Sequence, residues 1–250
     1  LIQQDGAIVG AYAEGDDGVV QYNCKAVVFA TGGFGGNPEL IKQQGWDIEN
    51  LFVVGSSNAA GDAYRMALEV GAKDFMNASA QSILYNIPAR TGNKLLPETV
   101  QALCRDVENI VGAKDSSGDI ENLKAYIRLT RELDKEVAIL AGNDGAILTC
   151  LKEGGAGGIA GRANIWPETV AKIYDCFKAG DLEGAQAAQD AIAILQQTFK
   201  YGNPNTIIKT AVALQGHPVG KCRAPFNYVP EEGMEAIKKV LAENEAKGLH

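Results

Sequence analysis

Histidine is almost absent from this sequence, with His217 and His250 the only two. That scarcity excludes an imidazole-based metal centre as an expectation, since zinc sites draw chiefly on histidine and closely spaced cysteine. Paired cysteines are missing too. Cys24, Cys104, Cys150, Cys176 and Cys222 are far apart, odd in number and form no CxxC. Reduced thiols in a core or on a helix face are expected, with neither a disulfide frame nor a metal site. Positive charge is in deficit. With 23 Lys and Arg against 31 Asp and Glu, the net charge of −8 argues against a nucleic-acid groove or an acidic membrane surface as the main partner. No apolar run approaches the ~20 residues of a membrane span, and no charged-then-apolar leader opens the sequence. A soluble, cytoplasmic protein is expected.

What is present begins with bulk. At 250 residues and 46% hydrophobic, the chain can bury a large core, as one barrel or as two smaller domains. Its most informative stretch is Ile83 to Gly92, ILYNIPARTG, taken together with Lys114 in VGAKDSSG. Each is a short apolar β-type run ending in polar residues and glycine, followed by a helix-like segment. Such βα units present reactive side chains at the C-terminal ends of parallel strands. Tyr85 and Lys114 would face each other across one mouth. A lysine confined there is disfavoured as a cation, so its pKa is expected to fall toward the range in which it attacks carbonyls. A tyrosine beside it can pass protons to and from a carbinolamine.

YNIPARTG, KDSSG, LAGNDG and GGIAGRAN, in that order, resemble the second half of the dihydrodipicolinate synthase and N-acetylneuraminate lyase family, the pyruvate-dependent class I aldolases. The resemblance runs from about Ser82 to the C-terminus. It implies a (β/α)8 barrel architecture in which Lys114 forms a Schiff base with pyruvate or another 2-oxo acid, Tyr85 relays protons, and no cofactor is required. Alone, a strand-end lysine is more often a salt-bridge partner; four motifs in the family's order favour the Schiff base. Within the resemblance, Arg90 matches an arginine that binds the second substrate's carboxylate in the synthase branch, against a plain surface-turn arginine. Gly142 and Ile159 mark backbone groups near the substrate. Asn143 and Asp144 are expected to cap the next helix in preference to supplying a catalytic carboxylate, and Arg162 stands at a strand end, where it could equally be solvated. Trp166, Tyr174 and Phe177 sit at helical spacing and are expected in the core.

The first third reads differently. Ala7 to Tyr12 and Val19 to Tyr22 are expected strands joined at Asp17-Gly18. AVVFA, Ala26 to Ala30, is an apolar β-branched run of the kind buried in a sheet. TGGFGGN comes next, then a helix PELIKQQ opened by Pro38 and capped by Asn37. KAVVFATGGFGGNPELI with AAGDAYRMALEVGAK resembles the flavoprotein subunits of the fumarate reductase and succinate dehydrogenase superfamily, over about Gly6 to Phe75. That resemblance implies FAD beside Ala30, Thr31, Gly32 and Gly33, with Gly61 and Asp62 at a helix-opening turn. The main dinucleotide cradle is missing, however: no GxGxxG succeeds an N-terminal strand, and no acidic residue stands downstream for the ribose. A structural remnant without flavin is the competing reading.

The chain thus reads as a chimera. Residues 1–75 form a flavoprotein-like α/β segment, and residues 76–250 form a half (β/α)8 barrel of four βα units with C-terminal helices, joined through Lys73 to Gln81. Expected elements of the half barrel are strands Ile83–Ile87, Ile110–Lys114, Val137–Ala141 and Gly158–Gly161. Helices Pro97–Val107, Ile120–Glu132 and Gly145–Glu153 alternate with them, and the chain beyond Pro167 is mostly helix. Four strands leave open edges and an exposed apolar face. Either the N-terminal segment lays its strands along the exposed edge and its helix over the apolar face, giving a single hybrid α/β domain, or two chains pair as a homo-oligomer. The resembled family's first half supplies a Thr-Thr pair for the proton relay, and no GTTGE-like segment occurs here. Impaired aldolase catalysis, a flavoprotein fragment and an inactive fold are the three readings.

Overall fold

The computed structural model describes residues 1–29, 33–43, 45, 59–71 and 82–248. It divides into two units, Leu1–Ala80 and Gln81–His250. The expected junction, residues 73–81, lies outside the described residues.

The first unit opens with an antiparallel three-stranded sheet ordered β1 (Ile2–Gln4), β2 (Ala7–Gly15), β3 (Gly18–Asn23). Asp5 and Gly6 both adopt positive φ, 49° and 81°, as a two-residue hairpin turn of the primed type requires. The second turn sits one residue earlier than expected: Gly15 pairs with Gly18, so Asp16 and Asp17 form its tip. AVVFA is corrected more seriously. Lys25–Phe29 form no strand, and Val28 is 88% exposed. An apolar β-branched run becomes a buried strand only where a sheet accepts its backbone, and none among the described residues does. Helix α1 (Pro38–Gln43) begins as expected, with Asn37 Oδ1 accepting from the amides of Glu39 and Leu40, both at 3.1 Å. Helix α2 (Asp62–Glu69) comes next, and Phe34, Leu40 and Ile41 make a small core against Tyr64.

The second unit carries a separate, wholly parallel sheet ordered β4 (Ser82–Asn86), β5 (Ile110–Asp115), β6 (Ala138–Ala141), β7 (Gly157–Gly158). Among the described residues no strand of the first unit pairs along the edge of this sheet. Between the strands run α3 (Pro88–Thr91), α4 (Pro97–Asp106), α5 (Ile120–Thr130), and a 3-10 turn Asp144–Ala146 leading into α6 (Ile147–Lys152). Sequential parallel strands with right-handed crossovers put all their helices on one face. On that face Ala113, Ile139 and Ala141 are buried in the core with Val100, Cys104 and Tyr126 of the helices. Alternation sends Ile83 and Tyr85 to the other face, where they are 45% and 48% exposed. This is the face that a closed barrel would hold inside.

The crossover helices start and stop for local reasons. Asp119 caps α5, its carboxylate accepting from Glu121 N and Asn122 N. Lys135 Nζ closes the C-terminal end of α4, donating to the carbonyls of Cys104, Val107, Glu108 and Ile110 at 2.7–3.1 Å, where orphaned carbonyls favour a cation. Strand β7 is two residues long and displaced from the expected Gly158–Gly161, because Gly161–Asn164 coil into a 3-10 turn. Helices α7 (Pro167–Lys178), α8 (Leu182–Ala193), α9 (Pro204–Leu214) and α10 (Glu231–Glu245) complete the unit, with a 3-10 segment Ile194–Tyr201 after α8. Trp166 is fully buried and Phe177 packs on the core, while Tyr174 is 44% exposed and departs from its expected place.

Candidate active site

The parallel register sets the site. Tyr85 pairs with Lys114, Lys114 with Leu140, and Leu140 with Gly157, so the ends of four strands stand side by side. Tyr85 and Lys114 share a face as neighbours in register, and the Lys114 Nζ lies 4.2 Å from the centre of the Tyr85 ring. Ser116 Oγ donates to the Tyr85 hydroxyl oxygen at 3.4 Å. The lysine stem runs past Gly142. A Cβ there would stand 2.0 Å from Ser116 Oγ and 2.9 Å from Lys114 Cε. Glycine at 142 is thus what lets the amine reach the mouth.

Behind the sheet, a buried polar network holds the end of β5. Asp115 accepts from Asn86 Nδ2 (2.8 Å), Ser117 N (3.0 Å), Ser117 Oγ (3.0 Å) and Asn122 Nδ2 (3.0 Å). Asn86 Oδ1 in turn accepts from Leu95 N, and the Tyr126 hydroxyl donates to Leu95 O at 2.6 Å. Burial pushes the Tyr126 phenol above its ordinary range. A carboxylate with four donors is a fixed strut, so the adjacent Lys114 backbone has little freedom. KDSSG alone does not announce this, since two of the four donors, Asn86 and Asn122, lie outside that motif.

The remaining expected residues fall in different places. Arg90 lies exposed on the single turn α3. The amides of Gly142 and Ile159 are both spent on the ladder, donating to Asp115 O at 2.8 Å and Ala141 O at 2.9 Å. What these two positions can offer a substrate is carbonyl oxygen and the half-exposed Ile159 side chain. Asn143 caps the following turn through Gly145 N as expected, but Asp144 does not. It reaches instead to the amides of Gly161 and Arg162. Arg162, 3% exposed, is not solvated.

In the first unit, Ala30, Thr31 and Gly32 lie outside the described residues. Gly33 is exposed, with open space where a Cβ would stand. Gly61 precedes α2 at φ 81°, and a Cβ there would strike Leu40 and Phe34, so close packing accounts for it. Asp62 pairs with Arg65 at 2.9 Å on the surface. Among the described residues, no group of three His, Cys, Asp or Glu is placed to hold a metal ion, and no helix is long and apolar enough to cross a membrane. Burial raises the thiols of Cys104 and Cys150, and all five cysteines are free.

Comparison with known proteins converges on the second unit. A family model described as the dihydrodipicolinate synthetase family matches residues 72–244, more than half the chain. A 4-hydroxy-tetrahydrodipicolinate synthase of Methanoculleus marisnigri is 38% identical over 159 residues, covering 64% of this chain and 54% of that protein. One from Syntrophus aciditrophicus is 37% identical, with 64% and 53% covered. The chain spans about half the length of the curated relatives it matches. Among solved structures, a dihydrodipicolinate synthase from Thermotoga maritima superposes with TM-score 0.64 at 24% identity, over 72% of this chain and 69% of that one. The E. coli prophage protein YagE, of the dihydrodipicolinic acid synthase family and solved in complex with pyruvate, gives TM-score 0.64 at 24% identity, over 78% and 63%. At that identity the likeness speaks to the fold.

Proposed function

The chain belongs to the dihydrodipicolinate synthetase family, and from that premise we propose that its second unit is an aldolase half-site in which Lys114 condenses with pyruvate or a related 2-oxo acid. The observation that carries this reading is the Lys114 amine stacked 4.2 Å over the Tyr85 ring, with Gly142 leaving its stem room to extend. The lysine nitrogen attacks the 2-oxo carbon, giving a carbinolamine; loss of water then leaves an iminium. The Tyr85 hydroxyl, itself accepting from Ser116, returns the proton that the departing hydroxide needs. The iminium acidifies the adjacent methyl, which loses a proton to the Tyr85 oxygen that has just given one up; the resulting enamine carbon can then add to an aldehyde, whose oxygen takes that proton back.

Recognition of the 2-oxo acid carboxylate is the weak point of a half-site. The Gly142 and Ile159 amides are committed to the sheet, and the Thr-Thr pair expected in a full barrel has no counterpart in this sequence. Positioned proton transfer, worth ~10²–10⁴-fold, falls within this chain to Tyr85 and its Ser116 partner. Exposed Arg90 is the group of this half that can meet a second substrate's carboxylate. Self-association of two chains through the free edges of β4 and β7 completes the proposal, because each edge is parallel and a two-fold axis along the strands offers β7 of one copy to β4 of the other. A flavin role for the first unit finds no support in its described residues, where no strand leads into the glycine run.

The proposal is tested by incubating the protein with pyruvate and borohydride. Reduction of an iminium leaves a stable N-carboxyethyl group on lysine, and folded protein without that group at millimolar pyruvate would overturn the reading.

A further inference from the structure

Strand β7 is too short to fix the segment beyond it by sheet pairing alone. It contributes two pairs, Leu140 with Gly157 and Ala141 with Gly158, and both of its residues are glycines with no side chain to pack. Ile159 nevertheless stays on the ladder, its amide donating to Ala141 O at 2.9 Å, and a second anchor fixes the Gly161–Asn164 turn that comes after it. The Asp144 carboxylate accepts from Gly161 N at 3.1 Å and from Arg162 N at 2.9 Å. Asp144 is itself held from behind. Its carbonyl accepts from Gln189 Nε2 at 2.9 Å, and Gln189 Oε1 accepts from Leu148 N at 3.0 Å, tying the turn to α8 and α6.

The guanidinium of Arg162 closes the assembly from below. It donates through Nη2 to Gln196 Oε1 at 2.6 Å, lies 5.5 Å from the Phe199 ring centre, and brings Nε within 3.6 Å of Asp144 Oδ2. Among the described residues that Nε finds no hydrogen-bond partner. Burial drives the Arg162 pKa below its ordinary value, with Asp144 pulling the other way. A buried cation with an unsatisfied donor is costly unless a nearby carboxylate balances it. The cation and the carboxylate thereby keep each other in place.

We propose that Asp144 is a positioning residue for the 2-oxo acid site: by clamping Gly161 and Arg162 it sets the wall, Ile159 to Gly161, against which the substrate bound at Lys114 rests. The consequence for substrate rests on the aldolase reading given above; the clamp itself does not. It acts on where the substrate sits, and leaves the Lys114–Tyr85 pair untouched.

The test uses the full chain and the variants Asp144→Ala, Asp144→Asn and, as a control, Asp181→Ala, which removes the cap of α8, a bond from Gly184 N. Hydrogen exchange reads the clamp directly. The amides of Gly161 and Arg162 are expected to exchange at least ~10-fold faster in Asp144→Ala, as loss of a charge-assisted bond implies, with those of Ala113 and Lys114 unchanged. Trapping with borohydride reads the consequence. The pyruvate concentration for half-maximal labelling is expected to rise ~10-fold in Asp144→Ala while labelling at saturation stays within ~2-fold, and Asp144→Asn, keeping one acceptor oxygen, falls between. Asp181→Ala lowers Tm without either change. Unchanged exchange at 161 and 162 overturns the clamp, and so does a failure of both Asp144 variants to fold, which would make the residue simply structural. Faster exchange with unaltered half-maximal pyruvate overturns the positioning role. If the wild-type protein takes no label at all, the aldolase reading falls with the substrate clause, and exchange alone decides the clamp.

Discussion

The Lys114 amine and the Tyr85 ring meet at 4.2 Å because their strands pair in register, Tyr85 opposite Lys114 across β4 and β5. On the proposed aldolase reading the phenol has two separable roles, a platform under the amine and a hydroxyl that moves protons. Tyr85→Phe keeps the platform and removes the hydroxyl. Its borohydride-trapped labelling with pyruvate should slow by ~10²–10⁴-fold, with Tm close to that of the wild type. Labelling at the wild-type rate would remove Tyr85 from the proton path.

Gly142 gives a sharper steric test. In Gly142→Ala the new methyl collides with Ser116 Oγ and crowds Lys114 Cε, so the lysine stem must leave its present course. Labelling of Lys114 should become undetectable on the wild-type time scale, and Tm should fall. Adding Ser116→Ala removes the worst collision and leaves the crowding at Cε. The double variant is expected to regain stability and stay unlabelled, which a thermal melt and a labelling time course read separately.

Asn86 links a buried and a half-buried group, donating to Asp115 and accepting from the amide of Leu95. Asn86→Ala strands both. The expected cost is about 1–3 kcal/mol, the penalty for a buried polar group left without its partner. Urea unfolding monitored by circular dichroism measures it. A loss under about 0.5 kcal/mol, the range of ordinary surface substitutions, would show that the strut behind Lys114 is dispensable.

Among the described residues β4 and β7 are the outer strands of the parallel sheet, and on the proposed reading they pair between two copies. Light scattering after size exclusion should report a dimer at micromolar concentration, and Ile83→Lys, which places a charge on the open face where edge charges block pairing, should yield a monomer. A wild-type chain that runs as a clean monomer removes self-association from the account.

The fold was legible wherever local chemistry and tertiary demand agree. IVGAKD reads as a strand from its β-branched start and is one; Asp119 and Asn37 read as caps and are caps. Legibility fails where the deciding partner is distant. GNDG looks like a cap for the next helix, yet Asp144 answers to Gly161 and Arg162, which lie 17 and 18 residues on, and no local pattern encodes that. AVVFA fails for the opposite reason. Its composition suits a sheet interior, and Val28 is left exposed because no sheet among the described residues receives it. The glycines of β7 carry no periodic signal at all, so the two-residue length of that strand is set by its pairing with β6 and by the turn at Gly161.

The most direct measurement is peptide mapping of protein treated with pyruvate and borohydride, which asks which of its lysines carries the reduced adduct. The account predicts N-carboxyethyl modification at Lys114, saturating with pyruvate, and its disappearance in Lys114→Ala. Label spread evenly over surface lysines, or unaffected by that substitution, would contradict it.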